Sequence, residues 1–181
     1  MAMAISVPRY TIADLERFPN DGSRYELLDG VLLVTPAPSR AHQIIVSRLQ
    51  LRLAQAVAIP GKGQVLGPGA IRVPPKTQLQ PDILVQPDRY PIDAKWEDID
   101  DHWLAVEVLS RSSRIYDREF KRDAYIALGV QEVWLVDRWK KEVEVSLTRG
   151  SGTIVRDVLH WRLPEFAVDV EILLKDVFAG L

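Results

Sequence analysis

The sequence predicts an α/β (α+β) fold, a central mixed β-sheet flanked by helices. Three observations carry that prediction. Short apolar runs of strand length recur as "PDILVQP", "HWLAVEVLS", "QEVWLVD" and "KEVEVSL". One long stretch instead places apolar residues four apart, at Ile45, Leu49, Leu53 and Val57, as the packed face of a helix does. Strands and helices follow one another without a regular strand–helix–strand alternation, which favours a layered mixed sheet over a doubly wound one. With 181 residues, 47% of them hydrophobic, the chain suits one domain spanning residues 1–181.

The elements follow in order. "TIADLERFPN" reads as a short helix with Thr11 as N-cap and Pro19 as its stop. "RYELLDGVLLVTPAP" reads as two strands around the turn Asp29-Gly30, a strong hairpin signal. Ser39 caps the long helix "SRAHQIIVSRLQLRLAQAVAI". "GQVLGPGAIRV" holds one or two strands bent by Gly67 and Gly69. "PDILVQP" opens a buried strand at Asp82, residues 86–102 form an acidic loop, and "HWLAVEVLS" returns as a strand. "SSRIYDREFKRDAYIALGV" is an amphipathic helix with Gly129 as its C′ glycine. "QEVWLVD" and "KEVEVSL" make a hairpin with its turn at residues 137–140, "TIVRDVLH" adds a strand, and "EILLKDVF" a final short helix.

Composition removes several functions. Charged residues make up 27% of the chain with both signs mixed, and the formal net charge is −2. A general polyanion binder would be strongly basic, although a local basic groove is compatible with this balance. There is no cysteine, which excludes disulfides, thiolate zinc sites and cysteine nucleophiles. His42, His102 and His160 are too scattered for a zinc site. "MAMAISVPRY" lacks the basic and apolar regions of a signal peptide, and no apolar run reaches membrane-spanning length. The expected setting is cytoplasmic, without a membrane.

Four acidic residues interrupt or border apolar strands: Glu26, Asp82, Glu107 and Asp137. Asp137, before "RWK", is most simply a turn residue, and Glu26 fits a solvent face or a site. Asp82 opens one strand and Glu107 lies inside another. A buried carboxylate needs a partner. That partner is a hard divalent cation, which prefers oxygen ligands, or an arginine such as Arg111 or Arg114. On the following helix Asp117, Lys121 and Tyr125 share a face at i, i+4, i+8. Lys121 there either belongs to a solvated basic face or turns toward Glu107 and Asp82. His42 either caps or packs its helix start, or contacts a phosphate. Trp134, Trp139 and Trp161 are core residues or an interface.

The ordered set "RYELLDG", "SRAHQ", "PDILV", "LAVEVLS", then Asp117, Lys121 and Tyr125, then "GVQEVWLVD" resembles the Uma-type, restriction-endonuclease-like proteins of bacteria. These were once catalogued as domain of unknown function 820, within the PD-(D/E)xK nuclease superfamily. The likeness spans residues 24–137 and continues more weakly to the C-terminus. It implies a restriction-endonuclease-like domain with its site at one edge of the sheet. It also implies a metal-dependent endonuclease that hydrolyses DNA phosphodiester bonds. Asp82 matches the "PD" aspartate and Glu107 the acidic residue of the "(D/E)xK" strand. Both would hold Mg²⁺ or Mn²⁺ with the main-chain carbonyl of Val108, and Glu26 would complete the site. Where the pattern wants lysine this chain has Leu109, so Lys121 is read as the catalytic lysine supplied from the adjoining helix. Gln80, Ser110 and Tyr125 fall in matched segments as supporting residues. Arg111, Arg114 and Arg118, with His42, would contact DNA phosphates, and a homodimer would suit cutting two strands. The alternative is a catalytically inactive module on the same fold, binding nucleic acid or protein, for which Leu109 and the slight negative charge speak.

Overall fold

The computed structural model describes residues 8–110 and 120–181. Arg111, Arg114, Asp117 and Arg118 lie outside the described residues. Among the described residues, Thr11 precedes a one-turn helix α1 (Ile12–Leu15), and its hydroxyl and amide both donate to Asp14. Strands β1 (Arg24–Leu28) and β2 (Val31–Thr35) pair antiparallel from Arg24↔Thr35 to Leu28↔Val31. Asp29 and Gly30 carry φ of 46° and 77°, the twin positive values that a two-residue hairpin turn demands. Helix α2 (Arg40–Leu53) is capped by Ser39 Oγ, which accepts from the His42 amide, and it runs on into a π-helical turn (Ala54–Ala58).

Strands β3 (Gly63–Leu66), β4 (Ile71–Val73), β5 (Thr77–Leu79), β6 (Ile83–Pro87) and β7 (His102–Val108) follow. Then come α3 (Arg122–Ala127), β8 (Val130–Asp137), β9 (Glu142–Thr148), β10 (Ser151–Val155), β11 (Val158–Arg162), β12 (Asp169–Leu173) and α4 (Leu174–Val177). They arrange as a central sheet β10-β9-β8-β7-β6-β3, a second sheet β2-β1-β5-β4, and the ribbon β11-β12. β7 and β8 pair in parallel while β6–β7 and β8–β9 are antiparallel, so the central sheet is mixed, as expected. A parallel pair needs a crossover, and α3 lies in it.

β6 and β7 are buried along their whole length, which is why both read as nearly continuous apolar runs. One face of the central sheet meets α2. Ile45, Leu49, Leu53 and Val57 pack there with Ile83, Val85, Leu104, Val106, Trp134 and Trp161. The opposite face joins Leu84, Ala105, Leu109 and Leu135 to Tyr125 of α3 and to Leu33, Ile71 and Leu79 of the second sheet. Trp134 and Trp161 are therefore core, edge to face at 6.2 Å. Asp137 is the expected turn residue: its Oδ1 accepts the amides of Trp139 and Lys140. "TIVRDVLH" contributes to two strands, β10 and β11, and "EIL" closes β12 before α4 begins. β5 is an additional strand, held by both β1 and β4.

His102 opens β7 at 2% exposure, with Nδ1 unpartnered among the described residues. Burial pushes its pKa down, and the nearby Asp101 and Asp100 only partly oppose this. The unfolded chain therefore takes up the proton more readily than the folded one. The histidine's contribution to stability is complete above its ordinary value of 6.5 and is lost as the pH falls below it. Thermal unfolding followed across this range is expected to show a falling midpoint on acidification, with a shallower fall in His102→Gln.

Candidate active site

β6 and β7 pair with Ile83 opposite Val106 and Leu84 opposite Ala105. Continuing that register by one step sets Asp82 opposite Glu107, both on the face that Leu84 and Ala105 share. Side chains alternate along a strand, so Glu107 lands on the side of α3 and the second sheet. Glu26 comes from β1 of that second sheet, and Lys121 stands at the start of α3. Four sequence-predicted residues thus converge: Glu26, Asp82, Glu107 and Lys121, at 0%, 4%, 4% and 3% exposure.

Their contacts form one network. Lys121 Nζ donates to Glu26 Oε2 at 2.7 Å and to Glu107 Oε1 at 3.1 Å. Tyr125, one helical turn further on, donates its hydroxyl to the same Glu107 oxygen at 2.6 Å. The i, i+4 face read from the sequence therefore delivers both donors to one carboxylate. Glu26 Oε1 accepts the Gln80 amide at 2.7 Å, and the Gln80 carbonyl accepts from Arg24 Nη1 at 2.8 Å. Arg24 Nη2 donates to Asp82 Oδ1 at 2.8 Å, while Asp82 Oδ2 accepts the Val108 amide at 2.8 Å. His42 Nε2 lies 3.2 Å from Asp82 Oδ2, an ion-pair distance without the alignment of a hydrogen bond.

These surroundings set the charges. Burial alone would raise the Asp82 pKa, but His42, Arg24 and the Val108 amide outweigh it and hold the carboxyl below its usual range. Arg24 loses hydration on burial, yet Asp82, Glu107 and Glu26 more than compensate and keep it firmly protonated. Tyr125 is pushed well upward by burial and by the Glu107 and Glu26 charges, so it remains a donor.

Arg24, Asp82, Glu107 and Lys121 line a cleft of about 410 Å³ together with Ser39, His42, Ser110, Arg138 and Trp139, while Glu26 and Tyr125 lie fully buried behind it. Arg138 stacks over the Trp139 ring at 4.3 Å. Trp139 is half-buried beside the cleft rather than in the core with the other two tryptophans. Leu109 is 1% exposed and belongs to the apolar cluster around Tyr125. The position at which the pattern wants lysine is thus filled by core, and an ammonium reaches Glu107 from Lys121 instead.

The sequence did not point to Arg24 as a site residue. Its one signal was the spacing from Glu26, since residues two apart share a strand face. Carboxylate oxygens of Asp82 and Glu107 are hard donors suited to Mg²⁺ or Mn²⁺, which commonly take one or two carboxylates and complete their shell with water and phosphate oxygens. Among the described residues, no group of three or more histidine or acidic side chains could hold a metal by itself. Two carboxylates are therefore the donor set on offer.

The Uma2 family model, described as "Putative restriction endonuclease", matches residues 12–181. The fold is similar to that of a crystal structure described as "a putative nuclease belonging to DUF820", from Anabaena variabilis. The TM-score is 0.74 and the identity 17%, over 93% of this chain and 97% of that one. No curated protein matches the chain.

Removing one partner from a buried ion pair leaves an uncompensated charge, so Lys121→Ala is expected to cost about 3–5 kcal/mol of stability. Tyr125→Phe removes a hydrogen bond to a charged group and is expected to cost about 1.5–3 kcal/mol. Denaturant unfolding measures both, and the reverse order of effects would contradict the network described.

Proposed function

The chain belongs to the Uma2 family, and from that membership and the buried cluster at its cleft we propose that it is an endonuclease. It would hydrolyse phosphodiester bonds of DNA and depend on Mg²⁺ or Mn²⁺. The observation that carries this reading is the meeting of Asp82, Glu107 and Lys121 at one cleft, with the fully buried Glu26 bonded to Lys121 behind them. Asp82 and Glu107 would hold the cation, with the Val108 carbonyl, and Glu26 completes the acidic group. When bound, such a cation offsets charge on a phosphate oxygen and makes an attacking water easier to deprotonate.

The chain's own residues supply the rest. In the metal-free protein the Val108 amide and Arg24 hold Asp82 in one orientation, and Tyr125 does the same for Glu107. Lys121 brings a fixed positive charge to the floor of the cleft, where it would steer a water or counter charge developing on the phosphate. Tyr125 and Leu109 shield the inner side of the cluster, which strengthens each electrostatic contact within it. Arg111, Arg114 and Arg118 are proposed as phosphate contacts, with His42 at the rim. Such contacts give salt-dependent, sequence-independent affinity.

One observation favours a second reading, a binding module without activity. Each of the three carboxylates already has a protein donor, so the cluster is electrically supported without a metal.

Incubation with Mn²⁺ and supercoiled plasmid, single-stranded DNA or RNA tests the first reading. Cleavage is expected for the unmodified chain. Asp82→Ala and Lys121→Ala, checked for folding by circular dichroism, should each lose at least about 100-fold in rate. Calorimetric titration should show Mn²⁺ binding that Asp82→Ala abolishes. A chain that neither binds Mn²⁺ nor cuts any of these substrates is a binding module instead.

A further inference from the structure

Asp82 offers two oxygens and about four acceptor positions. Oδ2 is occupied by the Val108 amide at 2.8 Å and flanked by His42 Nε2 at 3.2 Å. That leaves Oδ1 as the oxygen for an incoming cation, and Arg24 Nη2 already sits on it at 2.8 Å. The two fixed cations of the cluster are not alike. Lys121 is 3% exposed and clamped between two carboxylates, whereas the Arg24 side chain is 21% exposed and forms part of the cleft wall. Arg24 can swing into solvent without crossing the core. Among the described residues, its other hydrogen bond in the cluster goes to the Gln80 carbonyl at 2.8 Å, a neutral acceptor.

Charge points the same way. Among the described residues the hydrogen-bonded cluster holds three carboxylates, Glu26, Asp82 and Glu107, and two cations, Arg24 and Lys121. A divalent ion on Oδ1 would stand within a few ångströms of the guanidinium, in surroundings only partly screened by water, where like charges repel strongly. The repulsion ends if the guanidinium leaves Asp82, and an anion arriving with the cation gives it a new partner.

We propose that Arg24 is a positioning residue with two stations. Without a divalent cation it rests on Asp82 and the Gln80 carbonyl. With one it leaves Asp82 and turns to a phosphate oxygen of the substrate. Arg24 thereby holds the site against metal loading in the absence of nucleic acid. This rests on the reading of Asp82 and Glu107 as the metal-holding carboxylates.

The test is calorimetric titration of Mn²⁺, without nucleic acid, into the unmodified chain, R24A and R24K, together with thermal unfolding of each without metal. R24A is expected to bind Mn²⁺ about tenfold or more tighter, the scale of removing a close like charge, while its metal-free melting temperature falls. R24K, which keeps the charge, is expected to stay near the unmodified affinity. Equal or weaker Mn²⁺ binding by R24A overturns the proposal, because a residue that merely supports Asp82 would weaken binding when removed. Tightening in R24K equal to that in R24A also overturns it. Should R24A fail to fold, the unmodified chain still decides: a short phosphorothioate oligonucleotide must tighten its Mn²⁺ binding, and an unchanged affinity overturns the proposal. If neither the unmodified chain nor R24A binds Mn²⁺, the metal reading itself falls and takes this one with it.

Discussion

The bond from Lys121 to both Glu26 and Glu107 is the constraint on which the rest of the site depends. Two carboxylates this deeply buried are tolerable only with a cation between them. That requirement brings three separate parts of the chain together. β1 must present Glu26 from the middle of an inner strand of the second sheet, β7 must present Glu107 inside the first, and the start of α3 must reach both. From Glu26 the network continues through the Gln80 amide and carbonyl to Arg24, then through Asp82 to the Val108 amide on β7. The backbone just before β6 is thereby fixed by side chains on β1, and Asp82 is held beside Glu107 by groups from both sheets.

Elements whose cause is local were legible in the sequence. Asp29-Gly30 made the hairpin readable because few other residue pairs accept two positive φ values in succession. The four-residue spacing of Ile45, Leu49, Leu53 and Val57 made α2 readable, because those residues are the stripe that packs on the sheet. β5 was not legible, since Thr77–Leu79 is too short to show a period and exists because β1 and β4 flank it. The strand read at "TIVRDVLH" is split between β10 and β11, and β12 was read as part of the final helix. Their bounds follow from pairings such as Ser151↔Thr148 and Val158↔Leu173, which no local pattern announces.

The candidate site divides similarly. Asp82 and Glu107 stood out because a charge inside an apolar strand demands a partner, and Lys121 stood out through its spacing from Tyr125. Arg24 did not, because its target Asp82 lies 58 residues downstream and an arginine before a hairpin strand reads as solvent-facing. Leu109 looked like a defect in a nuclease pattern. In the fold it packs with Ala124 and Tyr125 of α3, the same helix end that carries Lys121. A leucine at one position and a lysine at the other are two sides of how that helix meets the sheet.

The Lys121–Glu26 contact joins residues 95 apart in sequence. During synthesis all three carboxylates leave the ribosome before the lysine that neutralises two of them. Until Lys121 is available, closing β1 against β7 would bury like charges together, so that docking is opposed and the local hairpin of β1 and β2 has to wait. Contacts this distant in sequence also form late for reasons of chain entropy. The cleft is consequently complete only when segments from both halves of the chain are in place. An incomplete or partly folded chain carries its acids exposed and apart, and whatever chemistry the assembled cluster performs is withheld until the fold is whole.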